Sequence, residues 1–173
     1  MSKLTLQFFL WGTLLILAQV VVLNHISLFG VAVPFAFIYV ILRLPITLSV
    51  NWVMTVGFAS GLIVDVFSDT QGMNALACTV LAAMRKPIFG LYVPREEDLP
   101  DPQLSIHTLG FGIYLKYVLT MSLLYCTLIF FIESFGFFDP LRLTLRIICS
   151  TALTTLVLLG IDSLTLQKRE KRL

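Results

Sequence analysis

Charge is what this sequence has least of. Only 13% of its 173 residues are charged, where a soluble domain carries about 25%. Together with 58% hydrophobic residues and a mean hydropathy of +0.94, the shortage excludes a cytosolic enzyme domain and a disordered tail. A soluble sphere of this size has too large a surface fraction to hide so much apolar area. Cysteine is scarce as well. Cys78, Cys126 and Cys149 each stand alone in an apolar run, with no CxxC or Cys/His spacing, so a disulfide framework is excluded and no metal site is supported. Each reads as a small buried hydrophobe. The net charge is +2 and the basic residues form no stripe, which excludes nucleic acid as a partner. What is abundant is apolar, Phe above all, with 14 copies. The chain reads as an all-α integral membrane protein whose first partner is membrane lipid.

A helix that crosses the hydrocarbon layer needs about 20 mostly apolar residues. Six segments meet or approach that length: 4–23, 27–44, 46–64, 73–84, 112–132 and 141–161. The first outruns a signal peptide and ends in Asn24-His25 without a small-x-small cleavage site, so it is expected to stay as a helix. The second contains Pro34 and is closed by Arg43 and Pro45. The second and fourth are short, and are expected to tilt or to reach part-way and pack against neighbours. Lys3, Arg43, Arg85, Lys86, Arg95, Lys116 and the basic tail 162–173 fall on one side of this arrangement. The opposite turns, 24–30, 65–72 and 133–140, contain no basic residue. The positive-inside rule then predicts a single six-span domain with both termini in the cytoplasm. The one sizeable loop, 85–109, carries four prolines and an acidic run, Glu96-Glu97-Asp98, and reads as an irregular cytoplasmic surface.

Polar residues in such a chain need a reason. Gly57 and Gly61 have small-xxx-small spacing, which allows close helix approach. Ala75, Cys78, Ala82 and Ala83 form a similar face on the next segment, and a tight helical hairpin is expected with Asp65, Asp69 and Gly72 at its outer turn. Gly57, Gly61, Asp65, Gly72 and Ala75 are the candidate partner-packing residues. Asp65 and Asp69 read either as structural helix-end acids or as partner contacts. No base, nucleophile or ligand set accompanies them, so no catalytic, cofactor-binding or metal residue is assigned. Arg142 and Arg146 share a helix face, and the apolar stretch after them is too short to span, which puts Arg146 within the membrane thickness. It either snorkels to the interface or pairs with Asp65, Asp69 or Asp139; Asp65, Asp69, Asp139, Arg142 and Arg146 are therefore read as an outer-end charge cluster. His25 and His107 stand alone. Trp11, Trp52, Tyr92, Tyr114 and Tyr117 read as lipid-contacting or interfacial aromatics.

The stretch Gly61-Leu62-Ile63-Val64-Asp65, then Gly72, then Asn74-Ala75-Leu76-Ala77, closing on Arg85, resembles the MreD family, the small rod-shape-determining membrane proteins of bacteria. Chain length, a helix starting near residue 3 and a basic C-terminus agree with that resemblance. Two features depart from it: the second acid, Asp69, in the turn, and the long proline-rich loop 85–109. The resemblance implies a six-helix bundle in the cell inner membrane, similar to the substrate-binding subunits of ECF-type vitamin transporters. It implies a non-catalytic role in cell elongation, with an MreC-like bitopic protein as partner and, through it, MreB filaments and RodA with its transpeptidase. The shared architecture leaves a second reading open, a solute-binding subunit of a membrane transporter, for which Asp65, Asp69, Asn74, Arg142 and Arg146 are the candidate lining residues.

Overall fold

The computed structural model of the chain describes residues 3–23, 32–93, 104, 106–134 and 139–170. His25 and residues 27–31 of the second expected span, loop residues 94–103, the turn residues 135–138 and the tail end 171–173 lie outside them. The described residues are helical almost throughout. Helix α1 covers Lys3–Val21 and α3 Val50–Ser68, followed by α4, Met73–Tyr92, then α6, Phe111–Glu133, and α7, Pro140–Glu170. Two single turns complete the set, α2 at Tyr39–Leu42 and α5 at Ile106–Leu109. Within the described residues, Val50–Ser68, Met73–Tyr92, Phe111–Glu133 and Pro140–Leu164 are long and apolar enough to cross a bilayer. The chain is a multi-pass helical membrane protein.

The helices pack in sequence order, α1 on α3, α3 on α4, α4 on α6 and α6 on α7. Their inner faces enclose a segment that is not a regular helix. Residues 32–44, expected as the latter part of a spanning helix, run as an extended stretch to Phe35, a 3-10 turn at Ala36–Ile38 and the single turn of α2. The cause begins at Pro34, which has no N–H to donate and disfavours helical geometry at Val33. Non-helical backbone at membrane depth is tolerated only where protein surrounds it. That condition is met here, because every residue from Phe35 to Leu44 is buried and Phe37, Ile38 and Ile41 are wholly so. Among the described residues, this irregular stretch lies at the centre of the bundle.

The exposed backbone groups of this segment are taken by side chains on both flanks. Gln19 of α1 donates its amide to the Pro34 carbonyl at 2.9 Å and accepts from the Ala36 N–H at 2.8 Å. On the opposite flank the Val33 N–H bonds Ser150 Oγ at 3.0 Å and the Phe35 N–H bonds Thr154 Oγ1 at 3.1 Å, both from α7. Alternate residues of an extended chain face the same way, and a two-residue step rises about 6.6 Å. Four residues of helix rise about 6 Å. Ser150 and Thr154 are thus spaced to meet the donors of Val33 and Phe35 as a neighbouring strand would.

Helices α3, α4 and α7 depart by several residues from the expected bounds. Helix α3 starts after the turn at 45–49 and reaches Ser68, four residues past the expected 46–64 span. Helix α4 runs past 84 to Tyr92, carrying Arg85, Lys86 and Pro87 inside it. Helix α7 extends beyond 161 through most of the basic tail to Glu170. Part of the 85–109 loop is also bundle: Leu104 and Leu109 are buried and, with α5, form a short strap leading into α6.

Candidate functional site

At the turn between α3 and α4, which marks the hairpin end of the bundle, four sequence-singled residues meet. Helix α4 begins with Gly72 as its N-cap, which offers no side chain for the first N–H groups. Asp65, one turn from the end of α3, supplies the missing acceptor. Its Oδ1 takes the Asn74 N–H at 3.0 Å and the Asn74 side-chain amide at 2.9 Å, and its Oδ2 takes the Ala75 N–H at 2.8 Å. The Thr70 hydroxyl adds a further bond to Oδ1. A carboxylate at a helix N-terminus also meets the positive end of the helix dipole. Asp65 is 2% exposed, so its charge is neutralised by this ring of donors and not by water.

The glycines make that reach possible. A Cβ placed on Gly61 would lie 2.5 Å from the Asn74 carbonyl oxygen and 2.6 Å from the Ala75 Cα, and one on Gly57 would lie 2.9 Å from the Cys78 carbonyl oxygen. Close approach therefore occurs between α3 and α4 of one chain. The surface formed by Gly57, Gly61, Asp65 and Ala75 is already covered by the chain's own hairpin, and does not face outward to a second helix. Gly72 has φ +77 and Asp69 φ 54, both left-handed, so the turn itself needs them. Asn74 carries the knot onward, accepting from the Tyr125 hydroxyl of α6 at 2.5 Å. The Tyr125 ring meets Phe35 and Phe37 edge-on, at 5.1 and 5.8 Å between centroids. The hairpin is thereby joined to the central segment.

The outer-end charges do not form one cluster. Asp65 is enclosed in the hairpin and Asp69 is exposed in the turn. Asp139 is exposed and caps the start of α7, its side chain accepting the Arg142 N–H at 3.4 Å and its carbonyl the Leu143 N–H at 2.9 Å, while Arg142 is itself exposed. Arg146 pairs with none of the three aspartates; its partner is Glu133 at the end of α6, at 3.1 Å, and its guanidinium lies over the Phe130 ring at 4.6 Å from the centroid. The α6–α7 connection is short, so the end of α6 is nearer than the α3–α4 turn. Asp65 and Asn74 are thus engaged within the α3–α4 hairpin and Arg146 at the end of α6.

The strongest charge cluster lies at the other end, near the strap. Asp162, wholly buried on α7, pairs with Arg43 at 2.7 Å and accepts the Tyr39 hydroxyl at 2.9 Å. Tyr39 also bonds the Arg43 guanidinium. The second Asp162 oxygen takes the Ile106 N–H at 3.1 Å. One helix away, Arg85 is 1% exposed and grips the carbonyls of Leu42, Leu44 and Pro45. No carboxylate bonds it among the described residues; the C-terminal carbonyls of α2 and the following turn stand in for a counter-charge. Arg85 and the Tyr117 hydroxyl interact with each other, and among the described residues neither Arg85 Nε nor that hydroxyl makes a further hydrogen bond.

Other expectations change in the same direction. Tyr114 and Tyr117, read as interfacial, are buried, and Tyr92 bonds Thr120 at 2.7 Å, whereas Trp11 and Trp52 are exposed. Tyr114 and Tyr117 are buried because α6 packs on both sides, against α4 and α7. Cys78 and Cys126 are buried as expected, but Cys149 is on the outer face of α7. Sequence reasoning passed over Asp162, Gln19, Ser150 and Thr154. A lone acid in VLLGIDSLTL and a lone Gln in LLILAQVVVL were the available signals, since intramembrane polar groups need partners.

Among the described residues no group of His, Cys, Asp and Glu is placed to hold a metal ion. Comparisons of the chain with protein families, with curated proteins and with solved structures find no match.

Proposed function

We propose that this chain is a non-enzymatic scaffold of the cell-elongation machinery in the bacterial inner membrane, a protein of the MreD type. In this reading six passes of the chain cross the membrane with both termini in the cytoplasm, the irregular segment 32–44 being the second pass. The protein packs against the membrane helix of an MreC-like bitopic partner, and so links MreB filaments to RodA and its transpeptidase outside. The supporting observation is how the polar and apolar groups are distributed. Asp65, Asn74, Gln19, Arg43 and Asp162 are turned inward onto the chain's own backbone and side chains. Large apolar side chains, Phe58, Leu62 and Val66 on α3 and Leu145, Ile148 and Leu156 on α7, are left on the outside. Such faces suit lipid and the lateral packing of other helices.

Depletion in the source bacterium tests this directly: rods should round into spheres, and affinity purification should recover a single-span coiled-coil wall protein. Its gene should lie next to this one. Retained rod shape together with no such partner would remove the scaffold reading. A purified protein that carries a small molecule, or that gains thermal stability on adding one, would replace it with the solute-binding reading.

A further inference from the structure

One carboxylate at the strap end ties together parts of the chain that are remote in sequence. Asp162 Oδ1 holds Arg43 and Tyr39 of the central segment, and Oδ2 holds the first N–H of α5 in the strap, at Ile106. The carbonyls on either side of Arg43, those of Leu42 and Leu44, are held by Arg85 of α4. A continuous polar path therefore runs from the strap through Asp162 and Arg43 to α4. Its members are buried, with Asp162 at 0% and Arg85 at 1% exposure.

The geometry points to Asp162 as a latch that holds the strap and the central segment 39–45 together, so that freeing one loosens the other. The physical basis is the single shared charge. A buried carboxylate keeps its position only while its donors satisfy it, and losing one donor strains the bonds to the others. This inference does not depend on the scaffold reading, since it concerns only how two parts of the chain are coupled.

Peptide-resolved hydrogen exchange on the full chain in lipid nanodiscs tests it. Ile106→Pro removes the donor to Oδ2, and proline is accepted at the first position of a helix, which Ile106 occupies in α5; Ile106→Ala, which keeps the N–H and loses the same core-packed side chain, is the control and should leave 39–45 unchanged. Exchange should rise about tenfold or more in residues 107–109 and also in 39–45, the scale of one hydrogen bond to a charged group. Coupling is reciprocal, so Tyr39→Phe, which alters only the other side of the latch, should raise exchange at 106–109. An increase confined to the altered side in either variant would overturn the latch. Should Ile106→Pro fail to accumulate, the milder Tyr39→Phe decides the question alone, and Arg146→Leu at the hairpin end serves as a control that should leave both regions unchanged.

Discussion

Three glycines of this chain carry different burdens, and alanine separates them. At Gly61 the added methyl would overlap the start of α4 at 2.5 Å, and backbone must move to admit it. Gly61→Ala should lose about 1–3 kcal/mol of stability, the scale of overpacking. At Gly72 there is open space but φ is +77, so Gly72→Ala should lose about 1–2 kcal/mol to left-handed strain alone. Gly90 has open space and no such φ, and Gly90→Ala should gain about 0.5–1 kcal/mol. Thermal unfolding midpoints in one detergent, compared across the three, check the order. Because Gly61 is internal, a bulky residue there breaks the hairpin before it reports on any partner. Asp65→Asn is the companion test. The amide offers one acceptor where the carboxylate offers two, and its NH2 would face a donor, either Ala75 N–H or the Asn74 and Thr70 group. About 3 kcal/mol should be lost, read by the same unfolding midpoint.

At the scale of elements, the notable object is the segment 32–44, held between α1 and α7 by side chains that take the place of a ladder. Gln19→Leu keeps the apolar volume but leaves the Pro34 carbonyl and the Ala36 N–H unpaired in the interior. Two orphaned backbone groups at about 1–3 kcal/mol each should reduce the amount of folded protein in membranes, as measured by detergent-resistant size-exclusion profiles. Thr154→Val is nearly isosteric and orphans one backbone group, the Phe35 N–H, so it should show a smaller loss in the same assay. Equal, negligible effects would mean that these side chains do not hold the segment. The hairpin α3–α4 was readable in advance from Gly57, Gly61 and the small face of α4. The central segment was not, because a run such as VAVPFAFIYVIL is apolar on every side whether it faces lipid or protein.

For the whole molecule, the two ion pairs make opposite predictions. Arg43 and Asp162 are buried together, so Arg43→Gln or Asp162→Asn alone should lose about 3–5 kcal/mol by leaving an uncompensated charge. The double variant should lose less than the two singles combined, which a double-mutant cycle on unfolding midpoints would measure. The pair Arg146–Glu133 is partly open, with side-chain exposures of 31% and 44%. After discounting for solvent screening, Arg146→Leu should change stability by less than about 1 kcal/mol. A large loss at Arg146 with little at Arg43 would reverse the ranking of the two ends.

Residue type and hydropathy sufficed to place this chain in the membrane, to locate α3, α4, α6 and α7 to within a few residues at most ends, and to put Asp65 at a helix end. These properties are sums over local stretches, and lipid responds to the same sums. Which face of each helix is covered, and which polar group meets which, required the folded chain. Arg43 and Asp162 are separated by 119 positions, and Val33 and Ser150 by 117; no local pattern encodes such pairings. Burial of Arg85, the inward turn of Tyr114 and Tyr117, and the use of Gly61 within the hairpin all follow from packing between distant segments. A bilayer rewards apolar surface equally on every side, so only the contacts among helices decide which side is inside.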